Sequence, residues 1–216
     1  MMKWQYGSKM SSIRAILFDL DGVLVDATEI HYRALNRALR ETCGFEIDHS
    51  EHDLKFNGLP TKTKLSLLIK QKRVLDNQLD KIYQVKQRYT FDEIITANLY
   101  NSDKIRMVME LKKKYILGVV TNCSKGTAME MLRKLTLSES PSHFFSTIIT
   151  NDSVRFNKPH PEGYIKAMIN IRSYPEETLI LEDNENGIVA AHATGANVIK
   201  VDDVNEVNLN FVQRYL

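Results

Sequence analysis

The segment ILFDLDGVLVD (residues 16–26) carries the strongest structural signal in this chain. Its apolar half predicts a buried strand, which ends at Asp19 and Asp21, two carboxylates one residue apart. Alternate residues of an extended segment point to the same side, so we expect both carboxylates in one small space. Since like charges repel there, the pair needs a cation, a shared proton or an electrophile. Taken alone, the segment fits either a catalytic carboxylate pair or a strand that ends in an ordinary Asp-Gly turn at Gly22.

Composition excludes several classes of protein. With 216 residues, the chain suits one core domain with an insertion, or two small domains. A net charge of +2 is no nucleic-acid signature, and no apolar run approaches the roughly 18–20 residues of a membrane span. The first nine residues lack a hydrophobic signal core, and Met10 is an alternative start of translation. Cys43 and Cys123 alone cannot make a disulfide framework or a zinc site, so we expect a cytoplasmic protein.

Short apolar segments alternate with helical segments along the chain. This alternation predicts an α/β fold, a Rossmann-like parallel sheet flanked by helices. Ser102 or Asp103 and, further on, Ser124 mark helix starts, because their side chains can cap a helix. Ligands of such open sheets bind at the carboxyl ends of the strands. The predicted strands cover residues 13–18, 116–121, 147–150, 178–181 and 197–201.

One long segment breaks this alternation, because it has helical periodicity and little strand character. A single crossover helix would need far less chain, so we expect an inserted domain. We predict a helical cap domain at 27–99, inserted into a core domain that comprises 1–26 and 100–216. Gly44 is placed to end the first cap helix. Helices are predicted at residues 26–42, 62–73 and 77–99.

The predicted cap is strongly basic between residues 55 and 88. For most of these residues, a solvated helix surface explains the charge. The excess of positive charge also suits a lid over an anionic ligand. Nine basic residues (Lys55, Lys62, Lys64, Lys70, Lys72, Arg73, Lys81, Lys86 and Arg88) stand against two acidic ones (Asp76 and Asp80).

Polar residues also follow three of the other predicted strands. Thr121 and Asn122 offer a hydroxyl and an amide as neutral donors, or they form a helix-capping turn. Lys158 precedes a proline and is therefore held extended, which lets its ammonium point inward, although a lone lysine lies more often at the surface. The adjacent carboxylates of Glu182 and Asp183 suit a hard cation such as Mg²⁺, or an acidic turn before a helix.

Together, four motifs resemble those of the haloacid dehalogenase (HAD) superfamily. They are DLDGVLVD (19–26), VVTNCS (119–124), NKPHPEGY (157–164) and LEDNENGIVAA (181–191), and the resemblance spans roughly residues 13–201. Within the superfamily, the chain is similar to the group with a helical C1-type cap that contains phosphoglycolate phosphatase-like and beta-phosphoglucomutase-like enzymes. The resemblance implies a HAD core with an inserted all-helical cap.

The resemblance also implies catalytic and metal-binding roles for the acidic residues. Asp19 is expected to be the nucleophile that forms an aspartyl-phosphate, and Asp21 the acid that protonates the leaving oxygen and later activates water. Mg²⁺ is expected to be held by Asp19, the backbone carbonyl of Asp21 and Asp183. Glu182 would join the metal site directly or through a bound water.

Further roles concern the phosphate, the hinge and the cap. Thr121 and the Asn122 amide are expected to hold phosphoryl oxygens, while Lys158 neutralises them and the nucleophile. Residues 22–26 would form a hinge that couples cap closure to the site. Cys123 is either a redox site or, as we favour, a packed small residue. The candidates for substrate specificity are His31, Lys62 and Lys64.

Several related activities have to be weighed against a phosphatase. Dehalogenases of this fold use neither the second aspartate nor Mg²⁺, and phosphonatases need a Schiff-base lysine that no local context marks here. Mutases are expected to carry an arginine near position 61 and a threonine near position 27, where this chain has Thr61 and Ala27. Lys62 or Lys64 would have to replace that arginine, although lysine lacks its forked geometry.

Classes other than enzymes are also considered. A non-catalytic ligand-binding or scaffold protein would be expected to have lost a nucleophile or metal ligand, and none is missing. A nucleic-acid-binding module would need more aromatic residues on the basic face. We therefore expect a Mg²⁺-dependent phosphomonoesterase that acts on a small phosphorylated metabolite, such as a sugar phosphate or phosphoglycolate. We expect no nucleic-acid or membrane partner, and a monomer or homodimer.

Overall fold

A five-stranded parallel sheet forms the centre of the protein. The structure is a computed structural model that describes residues 12–56 and 59–216. The strand order is β3-β2-β1-β4-β5, so the strand that leads into the two aspartates is the middle one. The predicted α/β fold is therefore confirmed. The strands are β1 (Ala15–Phe18), β2 (Ile116–Val120), β3 (Thr147–Ile149), β4 (Thr178–Glu182) and β5 (Asn197–Lys200).

The middle strand is buried on both faces, as its unbroken apolar sequence requires. Its side chains alternate between two hydrophobic clusters: Ile16 and Phe18 pack on one face, and Ala15 and Leu17 on the other. Helices must cover both faces of such a parallel sheet, because neither face carries polar side chains at its centre. Phe18 pairs with residues of both β2 and β4, which brings three strand ends to one edge of the sheet.

Nine α-helices lie in the described residues, and the first five lie between β1 and β2. The inserted all-helical segment is therefore confirmed. Within the insert, one helix, α2, is not predicted, because its seven residues are too few to show apolar periodicity; Asp48 caps it by accepting a hydrogen bond from Glu51 N. The helices are α1 (Thr28–Cys43), α2 (His49–Lys55), α3 (Thr61–Lys70), α4 (Leu79–Thr96), α5 (Ser102–Leu111), α6 (Lys125–Thr136), α7 (Glu162–Ile171), α8 (Glu185–His192) and α9 (Leu209–Gln213).

Helix ends agree with the capping chemistry at two of three predicted places. Gly44 has a φ of 73° and ends α1, with its N–H donating to Arg40 O. The Ser124 hydroxyl caps α6. The prediction for α5 is wrong, because Asn101, and neither Ser102 nor Asp103, caps that helix by accepting hydrogen bonds from two backbone N–H groups.

Helices α1 to α4 enclose a hydrophobic cluster of their own. Leu35, Phe56, Leu65 and Ile82 are buried in it, separately from the two clusters on the sheet. The chain returns to the sheet at the end of α4, where Ile94 packs in the sheet cluster. This arrangement agrees with a cap and a core, while the boundaries at 27–99 stay a prediction. No helix in the described part of the chain is both long and apolar enough to cross a bilayer.

Candidate active site

A cavity of about 960 Å³ lies between the carboxyl edge of the sheet and helices α1, α3 and α4. The ends of β1, β2 and β4 meet at this edge because the three strands are adjacent and parallel. All ten sequence-predicted site residues line this one cavity. They are Asp19, Asp21, His31, Lys62, Lys64, Thr121, Asn122, Lys158, Glu182 and Asp183.

Lys158 is the charged centre of the sheet edge. Its Nζ lies 2.5 Å from Asp19 Oδ1 and 2.8 Å from Val120 O, and it also donates to Glu182 Oε1. Burial lowers the pKa of Lys158, but the charges of Asp19 and Glu182 outweigh burial and raise it to about 12. The ammonium therefore stays protonated at neutral pH and faces the first aspartate permanently.

Two residues of the third and fourth motifs, Tyr164 and Gly187, lie against the Glu182 carboxylate. The Tyr164 hydroxyl donates to Glu182 Oε1 over 2.6 Å, and both side chains are fully buried. Gly187 makes this close packing possible, because a Cβ there would lie 1.9 Å from Glu182 Oε1. Sequence reasoning assigned no role to Tyr164 or Gly187, although both lie inside the quoted motifs.

Three carboxylates could hold a hard cation. Oxygen atoms of Asp19, Glu182 and Asp183 lie within 4.8 Å of one another. Asp183 Oδ1 is buried and has no hydrogen-bond partner among the described residues. Such an orphaned oxygen is what an oxygen-seeking ion such as Mg²⁺ would satisfy. Glu182 fits a direct ligand less well, because its Oε1 already accepts hydrogen bonds from Lys158 and Tyr164.

The electrostatics of these three carboxylates favour a bound cation. Burial, with added repulsion from Glu182, raises the pKa of Asp183 to about 7. Burial also raises the pKa of Asp19 well above its ordinary value, in spite of the neighbouring Lys158. The raised pKa values mean that Asp19 and Asp183 do not readily ionise together. Their ionisation needs more positive charge than one lysine supplies. The donor set therefore fits Mg²⁺.

Gly22 brings the backbone against this carboxylate group. It has a φ of 90°, and a Cβ at this position would lie 2.1 Å from Asp183 Oδ2. Its N–H donates to Val25 O over 2.7 Å, which closes a tight loop after the aspartate pair. Only glycine permits both this conformation and this approach.

Asp21 faces the helical insert. Its Oδ2 lies 2.7 Å from His31 Nε2, and its Oδ1 accepts a hydrogen bond from Ala27 N over 3.0 Å. His31 Nδ1 in turn lies 3.3 Å from Lys86 Nζ. Burial raises the pKa of Asp21, but the charge and hydrogen bond of His31 outweigh burial, so the pKa is lowered overall. His31 therefore contacts the second aspartate, and Lys86 extends the chain of contacts into α4.

Thr121 and Asn122 occupy the end of β2 in different ways. The Thr121 hydroxyl is buried at the cavity wall and accepts a hydrogen bond from Cys123 N over 3.1 Å, which leaves its own O–H to donate. The Asn122 side-chain amide instead holds the backbone of Lys158, at 3.1 Å to its N and 3.4 Å to its O. The backbone N–H of Asn122 is then the donor that remains for a phosphoryl oxygen.

Cys123 lies beside Asp21 and His31. Its Sγ is 3.6 Å from His31 Nε2 and 4.0 Å from Asp21 Oδ2. Burial, with the Asp21 charge, raises the pKa of the Cys123 thiol to about 12. The thiol is therefore protonated at neutral pH, which does not favour a redox site.

The basic residues of the insert divide into two groups. Most are exposed, as the solvated-surface interpretation predicts, including Lys62, whose Nζ lies 5.2 Å from the Tyr83 ring centre at the cavity rim. Lys64 and Lys86 are buried and face the cavity.

Two of the curated relatives that comparison with known proteins finds are of similar length. The chain is 27% identical over 186 residues to a phosphorylated carbohydrates phosphatase of Thermotoga maritima, which covers 85% of this chain and 82% of the relative. It is 31% identical over 195 residues to pyrophosphatase PpaX of Oceanobacillus iheyensis, which covers 88% of this chain and 84% of the relative.

Two solved structures share the fold. CbbY from Rhodobacter sphaeroides in complex with phosphate has a TM-score of 0.78 at 24% identity, over 87% of this chain and 85% of that one. A beta-phosphoglucomutase (pgmB) from Clostridium difficile has a TM-score of 0.76 at 22% identity, over 94% and 96%. The sequence profile of the haloacid dehalogenase-like hydrolases matches residues 16–201, which include all four motifs. The resemblance seen in the motifs is therefore confirmed, and the chain belongs to the haloacid dehalogenase-like hydrolases.

Proposed function

We propose that the protein is a Mg²⁺-dependent phosphomonoesterase that hydrolyses a small phosphorylated metabolite through an aspartyl-phosphate on Asp19. The observation that carries this proposal is the convergence of Asp19, the Lys158 ammonium and the unpartnered Asp183 oxygen at one sheet edge. Phosphoryl transfer needs these three groups together: a nucleophile, a fixed positive charge and a cation site.

In the proposed reaction, one oxygen of Asp19 is held by Lys158 and the other attacks phosphorus. The new O–P bond forms as the bond to the leaving oxygen breaks, and the protonated form of Asp21 supplies the proton to that oxygen. This form is the minor one at neutral pH, because His31 lowers the pKa of Asp21. Asp21 then takes a proton from the water that attacks the aspartyl-phosphate, which releases inorganic phosphate and restores Asp19. The Thr121 hydroxyl and the backbone N–H of Asn122 bind phosphoryl oxygens throughout.

Asp19, the backbone carbonyl of Asp21 and Asp183 would hold the Mg²⁺. When bound, the ion offsets the charge of the phosphate and lets the Asp19 carboxylate approach it. Glu182 keeps Lys158 in place and would reach the ion through a bound water. Because Glu182 binds Lys158 and also lies among the carboxylates of the cation site, the position of that site and the position of the lysine depend on each other.

The cap would close over the substrate by way of residues 22–26. From the helical insert, His31 contacts Asp21 and Lys86 contacts His31, so the proton carrier is fixed only when the insert lies against the sheet edge. Closure of this kind keeps water away from the phosphoenzyme until the leaving group has departed.

The substrate class is proposed from the relatives and the cavity. The relatives are named for phosphorylated carbohydrates and for pyrophosphate, and a cavity of about 960 Å³ takes a small metabolite. A sugar phosphate or a phosphoglycolate-type compound fits this description. A phosphosugar mutase is the alternative, and it is less favoured because Thr61 and Ala27 stand where a mutase is expected to have arginine and threonine.

The test is phosphate release from a panel of phosphorylated metabolites with Mg²⁺, which compares the wild type with Asp19→Asn. We expect the variant to lose hydrolysis and to form no acid-stable phosphoenzyme. Asp202→Asn is the matched control, since this exposed carboxylate pairs only with Lys200 and lies outside the cavity. Hydrolysis that survives Asp19→Asn would overturn the mechanism. Interconversion of hexose 1- and 6-phosphates without net phosphate release would establish the mutase instead.

A further inference from the structure

Two clusters of potential metal ligands lie among the described residues, and only the first belongs to the proposed Mg²⁺ site. The first cluster consists of the three carboxylates at the sheet edge. The second combines a carboxylate, a thiol and an imidazole, from Asp21, Cys123 and His31. These three side chains line the cavity and are partly exposed in it, so an ion from solvent can reach them.

The ligand atoms of the second cluster are spaced nearly as in a tetrahedral zinc site. Asp21 Oδ2 lies 2.7 Å from His31 Nε2, and Cys123 Sγ lies 3.6 Å from His31 Nε2 and 4.0 Å from Asp21 Oδ2. A tetrahedral zinc ion with bonds of about 2.0–2.3 Å holds its ligand atoms about 3.3–3.5 Å apart. Small side-chain movements, which change each distance by about 0.6 Å or less, therefore complete three corners of the tetrahedron.

Three different elements present these ligands. Asp21 follows β1, Cys123 follows β2, and His31 lies near the start of α1 in the helical insert. Asp21 Oδ1 accepts a hydrogen bond from Ala27 N over 3.0 Å, which leaves Oδ2 to face the cluster. Cys123 N donates to Thr121 Oγ1 over 3.1 Å, which fixes the turn that carries the thiol. The cluster is therefore held together by the fold, although its members are far apart in sequence.

The donor set of the second cluster favours Zn²⁺ over Mg²⁺. Mg²⁺ prefers oxygen ligands, whereas one oxygen, one nitrogen and one sulfur suit the softer zinc ion. When zinc binds, the Cys123 thiol releases its proton to solvent and a zinc–thiolate bond forms. Three protein ligands leave the fourth position of the ion to water.

Two lysines of the insert oppose a cation at this cluster. Lys86 Nζ lies 3.3 Å from His31 Nδ1, and the charge of Lys64 acts on both Asp21 and His31. Coordination through Nε2 leaves the ring proton on Nδ1, so Lys86 has to lose a proton or move away when zinc binds. Because of these costs we expect a reversible site, in contrast to a structural zinc site that folds only with its ion.

We propose that Asp21, His31 and Cys123 form a reversible Zn²⁺ site that inhibits the enzyme. Zinc on Asp21 removes the proposed proton carrier from the reaction. Because His31 belongs to the insert, the ion also ties the insert to the sheet edge. The inhibitory effect rests on the proposed function, whereas the binding of zinc depends on no substrate and no reaction.

Cobalt substitution tests for the site without a measurement of activity. Co²⁺ is added to protein in excess Mg²⁺, which keeps the three carboxylates occupied, and thiolate-to-cobalt charge-transfer absorption is recorded in the near ultraviolet. We expect this absorption in the wild type and in Cys43→Ser, its loss on addition of Zn²⁺, and its absence in Cys123→Ser. Cys43 is the matched control, because it is the other cysteine of the chain, contacts Gln78 and does not line the cavity. No such absorption in the wild type, or its persistence in Cys123→Ser, would overturn the site.

Calorimetric titration with Zn²⁺ in the same excess of Mg²⁺ measures what each ligand contributes. Cys123→Ser and His31→Gln are each expected to weaken zinc binding by about 10-fold or more, since loss of even an outer-shell partner costs about 10- to 100-fold. Cys43→Ser is expected to bind zinc like the wild type. Far-ultraviolet circular dichroism confirms folding, and if Cys123→Ser does not fold, His31→Gln and the wild-type cobalt spectrum decide. Wild-type zinc affinity in either folded variant would overturn the site.

Phosphate release separates failure of the site from failure of the proposed function. In excess Mg²⁺, we expect Zn²⁺ to inhibit the wild type, and the concentration for half-inhibition to rise about 10-fold or more in Cys123→Ser but not in Cys43→Ser. Hydrolysis without zinc binding would overturn the site and leave the phosphatase intact. Zinc binding without hydrolysis of any metabolite would overturn the phosphatase and retain the site. Hydrolysis that continues with zinc bound would overturn the inhibitory role.

Discussion

Tyr164→Phe isolates the hydrogen bond that supports the charged centre of the site. The Tyr164 hydroxyl donates to Glu182 Oε1 over 2.6 Å, and both residues are inaccessible to solvent. Burial and the Glu182 charge raise the pKa of Tyr164 well above its ordinary value, so the hydroxyl remains a donor at every working pH. Phenylalanine keeps the ring and its packing and removes only the oxygen.

The magnitude follows from what Glu182 loses. A hydrogen bond to a charged group contributes roughly 1.5–3 kcal/mol, and no water can replace it in this buried position without rearrangement. We therefore expect the free energy of unfolding to fall by about 2 kcal/mol. Because Lys158 donates to the same Oε1, we also expect kcat to fall, with a smaller change in KM.

Urea denaturation followed by circular dichroism measures the change in stability, and phosphate release measures kcat. Tyr174→Phe is the matched control, since this side chain is 67% exposed and its loss is expected to change the free energy of unfolding by less than about 0.5 kcal/mol. If Tyr164→Phe and Tyr174→Phe were equally stable and equally active, the reasoning that Tyr164 supports Glu182 and Lys158 would be refuted.

Three further predictions concern the cation, the loop and a buried amine. Removal of divalent cations with a chelator is expected to abolish phosphate release, and added Mg²⁺ is expected to restore it. Asp183→Asn is expected to raise the Mg²⁺ concentration needed for half-maximal activity by about 10-fold or more. Curves of activity against Mg²⁺ concentration measure this change. Gly22→Ala places a Cβ 2.1 Å from Asp183 Oδ2 and strains a φ of 90°, so we expect activity to be lost in the same assay, and wild-type activity would contradict the assignment. The pKa of Lys64 is lowered to about 7 on folding, so the unfolded chain binds more protons than the folded one between pH 7 and the ordinary lysine pKa. The free energy of unfolding therefore rises with pH in this window, by up to about 1.4 kcal/mol per pH unit. Lys64→Met should lack this rise in urea denaturation at pH 7, 8 and 9, and equal slopes in both proteins would contradict it. The groups that face the amine are His52, Lys86, Asp21 and Cys123.

Sequence reasoning succeeds where the signal is local. The apolar run before Asp19 predicts a buried strand, and the turn chemistry of Gly22 predicts the tight loop, because both depend on neighbours in the chain. The motifs at the strand ends then predict which side chains meet, since parallel strands place their carboxyl ends at one edge. The capping role of Ser124 is confirmed for the same reason.

Sequence reasoning fails where burial depends on distant residues. Lys86 looks like a member of a solvated basic surface, because helical periodicity cannot show which lysines the sheet edge covers. Lys64 is a specificity candidate only through the family resemblance, and its burial is not visible in the sequence. Cys123 is ambiguous in sequence, and only the fold shows the burial and the neighbouring Asp21 charge that raise its pKa. Tyr164 lies within a recognised motif, yet its bond to Glu182 joins residues from different elements of the fold.

The order of residues along the chain determined the sheet, the inserted helices, the family and the set of charged groups at the strand ends, because each is written in short-range patterns of side-chain type. Tertiary structure alone decided how those charges pair. It gave Lys158 two carboxylates, gave Asp21 a histidine from the helical insert, and left Lys64 and Lys86 buried beside histidine rings. The physical reason is that the free energy of a charge depends on its solvent exposure and on groups within a few ångströms, and both are set by residues far apart in sequence.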